Sequence, residues 1–374
     1  SGEVFCYNGY IDAVITITEA NFNSEDVIVT VTKDGGDPVR VNPSWTSESV
    51  DVHRGLFQLS EDGDYNITVE YTDRSMNTME TYQSNQLTID TVQPVIQVEQ
   101  ISHETAYNDE IVGFRILAND INIDPTSFEP RLECVLMNDN GQFIKEEIAL
   151  PEAELVIANQ EYSYTVDNLS MDGVYTLSFI AKDLSGNTTS TLIINESDDE
   201  EVDELTFSVN RQGSTYTIDK DTFELISSYY IKELKKNIIL NEVNVDPLVN
   251  HEIALNDSAL VEDQDYKVTS SGGNGKWHKY SYEIDKNLVK EEGEYNIVLY
   301  SKDKADNEAY SDIKDAEISF VVDRTPPRLS VAGMEQGGRY QVDSQKVTLI
   351  PSDDGGKLNS LEVNIYDKSG NPIR

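Results

Sequence analysis

The sequence predicts an all-β chain of tandem antiparallel sandwiches, and three observations carry that prediction. A block of residues recurs three times. Strand-like segments alternate with period two between turn residues. Finally, 20 Tyr and 10 Phe are spread along 374 residues, enough to furnish several small cores. Length alone suits two to three domains of about 150 residues, and the repeat divides the chain more finely.

The repeated block begins with an acid-glycine pair. Asp62-Gly63-Asp64-Tyr65 leads into Asn66-Ile67-Thr68-Val69 and then Asp73-Arg74-Ser75-Met76-Asn77. Asp172-Gly173-Val174-Tyr175 is followed by Asp183-Leu184-Ser185-Gly186-Asn187, and Glu292-Gly293-Glu294-Tyr295 by Asp303-Lys304-Ala305-Asp306-Asn307. The glycines stand 110 and 120 residues apart, and Tyr to Asp is eight residues each time. Acid-Gly makes a turn, because Gly tolerates positive φ and Asp bonds nearby backbone. A period-2 strand follows (Tyr65, Ile67, Val69 and Tyr71 on one face), then an Asp…Asn turn and a return strand. The return strands Leu87–Asp90, Phe207–Asn210 and Phe320–Asp323 run into Gln93-Pro94, Gln212-Gly213 and Thr325-Pro326-Pro327.

Those breakers set the expected domains: residues 1–90, 91–210, 211–323 and a partial fourth at 324–374. A second repeated element supports them. Strands at Val27–Val31, Leu132–Met137 and Val363–Tyr366 enter hairpin turns at Asp34-Gly35, Asn138–Gly141 and Asp367–Asn371. Tyr7-Asn8 aligns with Tyr107-Asn108, so the first domain is expected to lack its opening strand. Joined in single file, the sandwiches form an elongated array. Its radius of gyration should exceed roughly 30 Å, against about 21 Å for a compact chain of this length.

The third domain departs from its neighbours. Phe223, Ile226, Tyr230 and Leu234 follow helical steps, Asp221 is placed to cap and Glu224 to complete a capping box. Lys232, Lys235 and Lys236 crowd the far end, where cations suit the helix dipole. A helix is therefore expected over about 222–236. It serves either as a lid over one end of the sandwich or, through its three lysines, as a contact for an acidic partner.

Charge excludes several functions. With 28 Lys+Arg against 69 Asp+Glu the net charge is −41, the wrong sign for gripping nucleic acid or an anionic membrane surface. No apolar run is long enough to insert in a bilayer. Cys6 and Cys134 are too few for a disulfide framework and are expected as small buried hydrophobes. His53, His103, His251 and His278 share no ligand or catalytic spacing, and no nucleophile or phosphate-loop motif occurs, so no enzyme is expected.

Calcium is the one candidate metal, and otherwise no cofactor is expected. Asp120, Asn122 and Asp124 alternate oxygen donors, although Pro125 stands where an EF-hand needs Gly. The plainer reading is a surface loop with Asx-turns. Asp90 and Asp323, at the junctions, are further candidates. The acidic run Glu196–Glu204 should be a solvated, extended loop, because like charges repel.

Taken together, Ile17–Phe22 before a Val-x-Val-x-Val strand, Gly-x-Tyr followed by Asp-x-x-x-Asn, and the junctions Ile89–Pro94 and Val322–Pro327 resemble bacterial immunoglobulin-like domains. Such domains are strung along Gram-positive surface proteins. In the third domain Glu242–Pro247, Trp277–Tyr282 and Ser301–Asp303 look like a version recurrent in Firmicutes. The resemblance implies tandem immunoglobulin-like β-sandwiches, extracellular on a bacterial surface and monomeric. It also implies an adhesin-type role toward a host protein or glycoprotein, host immunoglobulin included, in a superantigen-like manner. The alternative is a passive, calcium-stiffened spacer of a larger exported enzyme or surface protein.

Overall fold

A computed structural model describes residues 5–138, 140–156, 161–194, 200–273, 275–355 and 357–373. The chain falls into two compact units. One comprises Ser1–Thr105, Ile111–Met171 and Tyr175–Phe207, the other Ala106–Glu110, Asp172–Val174 and Ser208–Arg374.

The first unit opens with a sandwich whose larger sheet has the strand order Phe5–Tyr7, Leu87–Ile89, Gly63–Tyr71, Val27–Lys33, Val39–Val41. Its smaller sheet runs Ile11–Thr18, Val52–Leu59, Ser44–Ser47. The period-2 faces meet in one core: Ala13, Ile17 and Leu59 from the small sheet pack on Val29, Tyr65, Ile67, Val69 and Ile89. Trp45 lies over Gly55, where a Cβ would come within 2.9 Å of the indole.

The next sandwich repeats the plan. One sheet orders Glu154–Val156, Glu161–Val166, Phe114–Asn119, Val95–Glu99, Leu192–Ile194, Glu200–Val202, and the facing sheet includes Leu205–Val209, Gly173–Lys182, Glu129–Met137 and Phe143–Ile148. Phe114 packs edge-on against Phe207 and Tyr164 against Phe179, joining the two layers. Residues 196–199 of the acidic run, with Asn195 before it, and Asp139 of the middle hairpin lie outside the described residues. The end of that run corrects the expected loop, since Glu200–Val202 pairs antiparallel with Leu192–Ile194. Exposed acids on such an edge strand discourage pairing with another chain.

In the second unit, a four-stranded sheet (Thr215–Ile218, Ile238–Asn244, His278–Ile284, Tyr266–Ser271) faces a sheet ordered Tyr230–Ile231, Ile318–Val322, Gly293–Asp303, Leu248–Leu255, Ser258–Ala259. Leu240, Tyr282, Ile297, Leu299, Ile318 and Phe320 are at the centre of their core. Beyond Asp323 the chain forms two short hairpins, Arg328–Ala332 with Thr348–Ser352 and Ile365–Tyr366 with Pro372–Ile373.

The helix is shorter than its periodicity suggests. It spans Lys220–Ile226, and Asp219 rather than Asp221 caps it, accepting from the Asp221 and Thr222 amides at 2.9 and 3.4 Å. Tyr229 takes a φ of 64°, and Tyr230–Ile231 becomes a strand paired in parallel with Val321–Val322. The same pairing joins Phe5–Tyr7 to Leu87–Ile89 and Ala106–Tyr107 to Ser208–Val209. Strand pairing thus outweighs helix propensity at Tyr230. Ile226 and Leu234 still reach the core, while Phe223 is exposed.

Candidate functional site

The recurring residues converge where one sandwich ends and the next begins. Each Asp-x-x-x-Asn turn is closed in the same way: Asn77, Asn187 and Asn307 donate their backbone amides to Oδ1 of Asp73, Asp183 and Asp303 at 2.7, 2.9 and 2.9 Å. Their side-chain amides donate to the other carboxylate oxygen at 2.7, 2.6 and 3.0 Å. Asn187 Nδ2 also donates to the Asp90 carbonyl at 2.9 Å, and Asn307 Nδ2 to the Asn210 carbonyl at 2.8 Å. So the hairpin of one sandwich clamps the last residue of the sandwich before it. The acid-glycine turns work from the other side. Asp62, Asp172 and Glu292 accept from the backbone amides of Thr91, Arg211 and Arg324 at 3.2, 2.8 and 2.7 Å.

Asp90, Asn210 and Asp323 occupy equivalent places. Their amides donate to the carbonyls of Tyr7, Tyr107 and Ile231 at 3.0, 2.8 and 2.9 Å. Around Asp90 the structure gathers acids: a carboxylate oxygen from each of Asp90, Asp120 and Asp183 lies within 4.8 Å of the others. Asp90 is 3% and Asp183 2% exposed. Asp90 Oδ1 accepts from the Val92 amide at 3.0 Å, but its Oδ2 is buried with no N–H or hydroxyl donor, and the Asp120 carboxyl lies close enough to share a proton with Asp90. Asp120 Oδ1 accepts from the Asn122 amide at 3.0 Å, and Asn122 Oδ1 is a second buried oxygen without a partner. Burial first, and then the charges of Asp90 and Asp183, push the Asp120 carboxyl up to about 6 against that amide hydrogen bond. Burial raises Asp90 as well, with Asp183 and Asp62 adding to it.

The next junction solves the same problem with an amide. Asn210 Nδ2 lies 2.7, 3.0 and 2.8 Å from Asn244 Oδ1, Asp246 Oδ2 and Asp303 Oδ2, all four residues buried. Ser208 donates a short hydrogen bond to Asp246. Aligning Ile121-Asn122-Ile123-Asp124-Pro125 with Val243-Asn244-Val245-Asp246-Pro247 puts Glu242 in the place of Asp120. Glu242 is fully buried and accepts from Ser214, from Ser301 at 2.6 Å and from Tyr282 at 2.7 Å.

Of the expected calcium trio, Asp120 belongs to this acid group and Asn122 adjoins it, while Asp124 is engaged elsewhere. Its carboxylate caps the short turn Pro125–Ser127, accepting from the Thr126 amide at 3.0 Å and its hydroxyl at 2.7 Å. Asp183 was hidden in the sequence as a turn residue, and only the fold brings it beside Asp90. Lys232 and Lys235 are exposed, and Lys236 pairs with Asp221 at 2.6 Å; none stands on the helix. Cys134 is buried, whereas Cys6 is only half-buried, a correction to its expected place; burial raises its thiol, against hydrogen bonds from Asn122 and Thr88. His53 is held structurally, between Ser47 Oγ at 2.9 Å and the Glu19 carbonyl at 3.0 Å.

Repeated two-layer sandwiches with a parallel first-to-last strand pair and Tyr corners define a tandem immunoglobulin-like protein. Residues 48–193 match the family model described as Bacterial Ig-like domain (group 3). Among solved structures, the chain is similar to a Dpr2 Ig1-Ig2 complex with DIP-Theta Ig1-Ig3, at 11% identity and TM-score 0.41, covering 86% of this chain and 96% of that one. It is also similar to a tetra-tandem repeat in the extending region of a large adhesion protein, at 16% identity and TM-score 0.35, covering 97% and 87%. None of the curated proteins matches. Among the described residues no helix is long and apolar enough to cross a membrane.

Proposed function

We propose that this chain is a non-enzymatic segment of an extracellular tandem array on a Gram-positive surface, adhesin-type, presenting a binding surface to a host protein or glycoprotein. Its domains meet at Asp90, Asn210 and Asp323. The observation that carries this reading is where the repeated residues act: the acid-Gly turns and two of the Asp-x-x-x-Asn hairpins hydrogen-bond the residues that link one sandwich to the next, Asp90–Thr91 and Asn210–Arg211. A chain selected for ordered display needs that, whereas a hydrolase needs carboxylates held across a cleft. Lys232 and Lys235, exposed in a chain of net charge −41, are the proposed basic contact for an acidic partner.

Passing serum and mucus over the immobilised chain tests the reading. Retention of a host glycoprotein or immunoglobulin, reduced when Lys232 and Lys235 are changed to Glu, is expected. Retention of nothing above a blank matrix favours a passive spacer.

A further inference from the structure

We propose that Asp90, Asp120 and Asp183 bind one calcium ion at the first junction, replacing with a cation what the Asn210 amide does at the second. The proposal is independent of any host partner. Oxygens sharing a calcium at 2.3–2.6 Å lie no more than about 5 Å apart, and the three carboxylates meet that limit. Buried like charges at this spacing repel strongly unless a proton or cation intervenes. No ion pair formed among the described residues reaches any of the three.

A second observation, from a residue outside the three carboxylates, points to a ligand. Asn122 Oδ1, on the adjoining loop, is buried without a hydrogen-bond partner, and Asp90, 3% exposed, has no N–H or hydroxyl donor for its Oδ2. Buried acceptors are otherwise satisfied almost without exception. The second junction shows what is missing. There the residue equivalent to Asp90 is Asn210, whose NH2 group serves the oxygens of Asn244, Asp246 and Asp303. An aspartate in that place has no donor to offer and instead adds a charge. The donors are all hard oxygens, which selects calcium or magnesium over softer metals. Magnesium keeps several waters and demands octahedral order; burial of Asp90 and Asp183 favours the more easily dehydrated calcium.

Calorimetric titration of the chelator-stripped chain with calcium chloride in physiological salt tests this, alongside melting in calcium and in chelator. One saturable site and a higher melting temperature in calcium are expected. Asp120→Asn should lower affinity at least tenfold, while Asp124→Asn binds like wild type. Asp90→Asn should abolish binding and, in chelator, melt no lower than wild type, because the new amide imitates Asn210. Identical melting in calcium and chelator with no saturable heat overturns the proposal in favour of a shared proton. Undiminished binding by both Asp90→Asn and Asp120→Asn, or tighter binding of magnesium than calcium, also overturns it.

Discussion

Tyr65, Tyr175 and Tyr295 show how one residue type anchors each sandwich. All three are buried, and each hydroxyl donates to the carbonyl four residues upstream, Glu61, Met171 and Glu291, at 2.7, 2.8 and 3.0 Å. Their recurrence at a fixed distance after the acid-Gly turn made this role legible, because a buried Tyr requires a partner for its hydroxyl. Tyr175 also stacks on Phe207 at 5.3 Å between ring centres. Tyr175→Ala should therefore cost about 3–5 kcal/mol in denaturant unfolding, and Tyr175→Phe about 1 kcal/mol. An equal loss for both would mean that the ring contributes nothing. Asp246 yields a pH prediction. Burial raises its carboxyl, against hydrogen bonds from Ser208 and Asn210, and the Asp303 charge adds to the rise. A carboxyl raised in the folded state stabilises most below its unfolded pKa of about 4 and loses that contribution as pH rises through the folded value. The stability of wild type relative to Asp246→Asn should then increase as pH falls from neutrality toward 4. A difference that does not change with pH assigns Asp246 a purely steric role.

Among the elements, the Asp-x-x-x-Asn hairpin carries two functions in five residues. It closes a turn and clamps the preceding sandwich, and only the first was visible in the sequence. The second depends on a carbonyl 97 residues away, Asp90 for Asn187 and Asn210 for Asn307; no local pattern encodes it. Gly213 shows how closely these parts approach: its φ is 67°, and a Cβ there would sit 2.9 Å from the Asn307 Cβ. Gly213→Ala should destabilise the third sandwich by about 1–3 kcal/mol, the usual cost of a strained backbone site, read by calorimetry. The helix illustrates the opposite failure. Its apolar period continues past Ile226, but Tyr230 and Ile231 also suit a strand, and the last strand Ile318–Val322 offers them a partner. The repeat already held the clue, since Tyr7 and Tyr107 pair in the same way. Asp219→Ala should cost about 0.5–2 kcal/mol through loss of the cap, whereas Asp221→Ala should cost less, because it removes only the exposed, solvent-screened pair with Lys236. A larger loss for Asp221 would return the cap to the position its sequence spacing suggests.

For the whole molecule, fold class and repeat were legible because each sandwich follows one period-2 pattern with the same turn chemistry. The acid group at Asp90 was only half legible. Asp120 and Asn122 advertise oxygen donors locally, while Asp183 reaches them through sheet topology. Stability should be concentrated in the sandwiches before Asp323, since the hairpin strands beyond it, apart from the half-buried Leu349 and Pro351, are exposed. Removing residues 324–374 should accordingly leave the main unfolding transition within a few degrees of its original midpoint, by scanning calorimetry.

The short parallel pairs have a mechanical consequence. In each sandwich an early segment lies parallel to the final strand: Phe5–Tyr7 with Leu87–Ile89, Ala106–Tyr107 with Ser208–Val209, and Tyr230–Ile231 with Val321–Val322. Tension applied through the chain draws two such strands in opposite directions along their length. Their hydrogen bonds are then loaded together in shear rather than opened one after another like a zipper. Ile96–Val98, also parallel to Leu192–Ile194, adds a second shear patch to its sandwich. Pulled in a single-molecule instrument, that sandwich should rupture at a higher force than the other two, and replacing Ile193 by Pro, which removes a backbone donor, should lower its rupture force selectively.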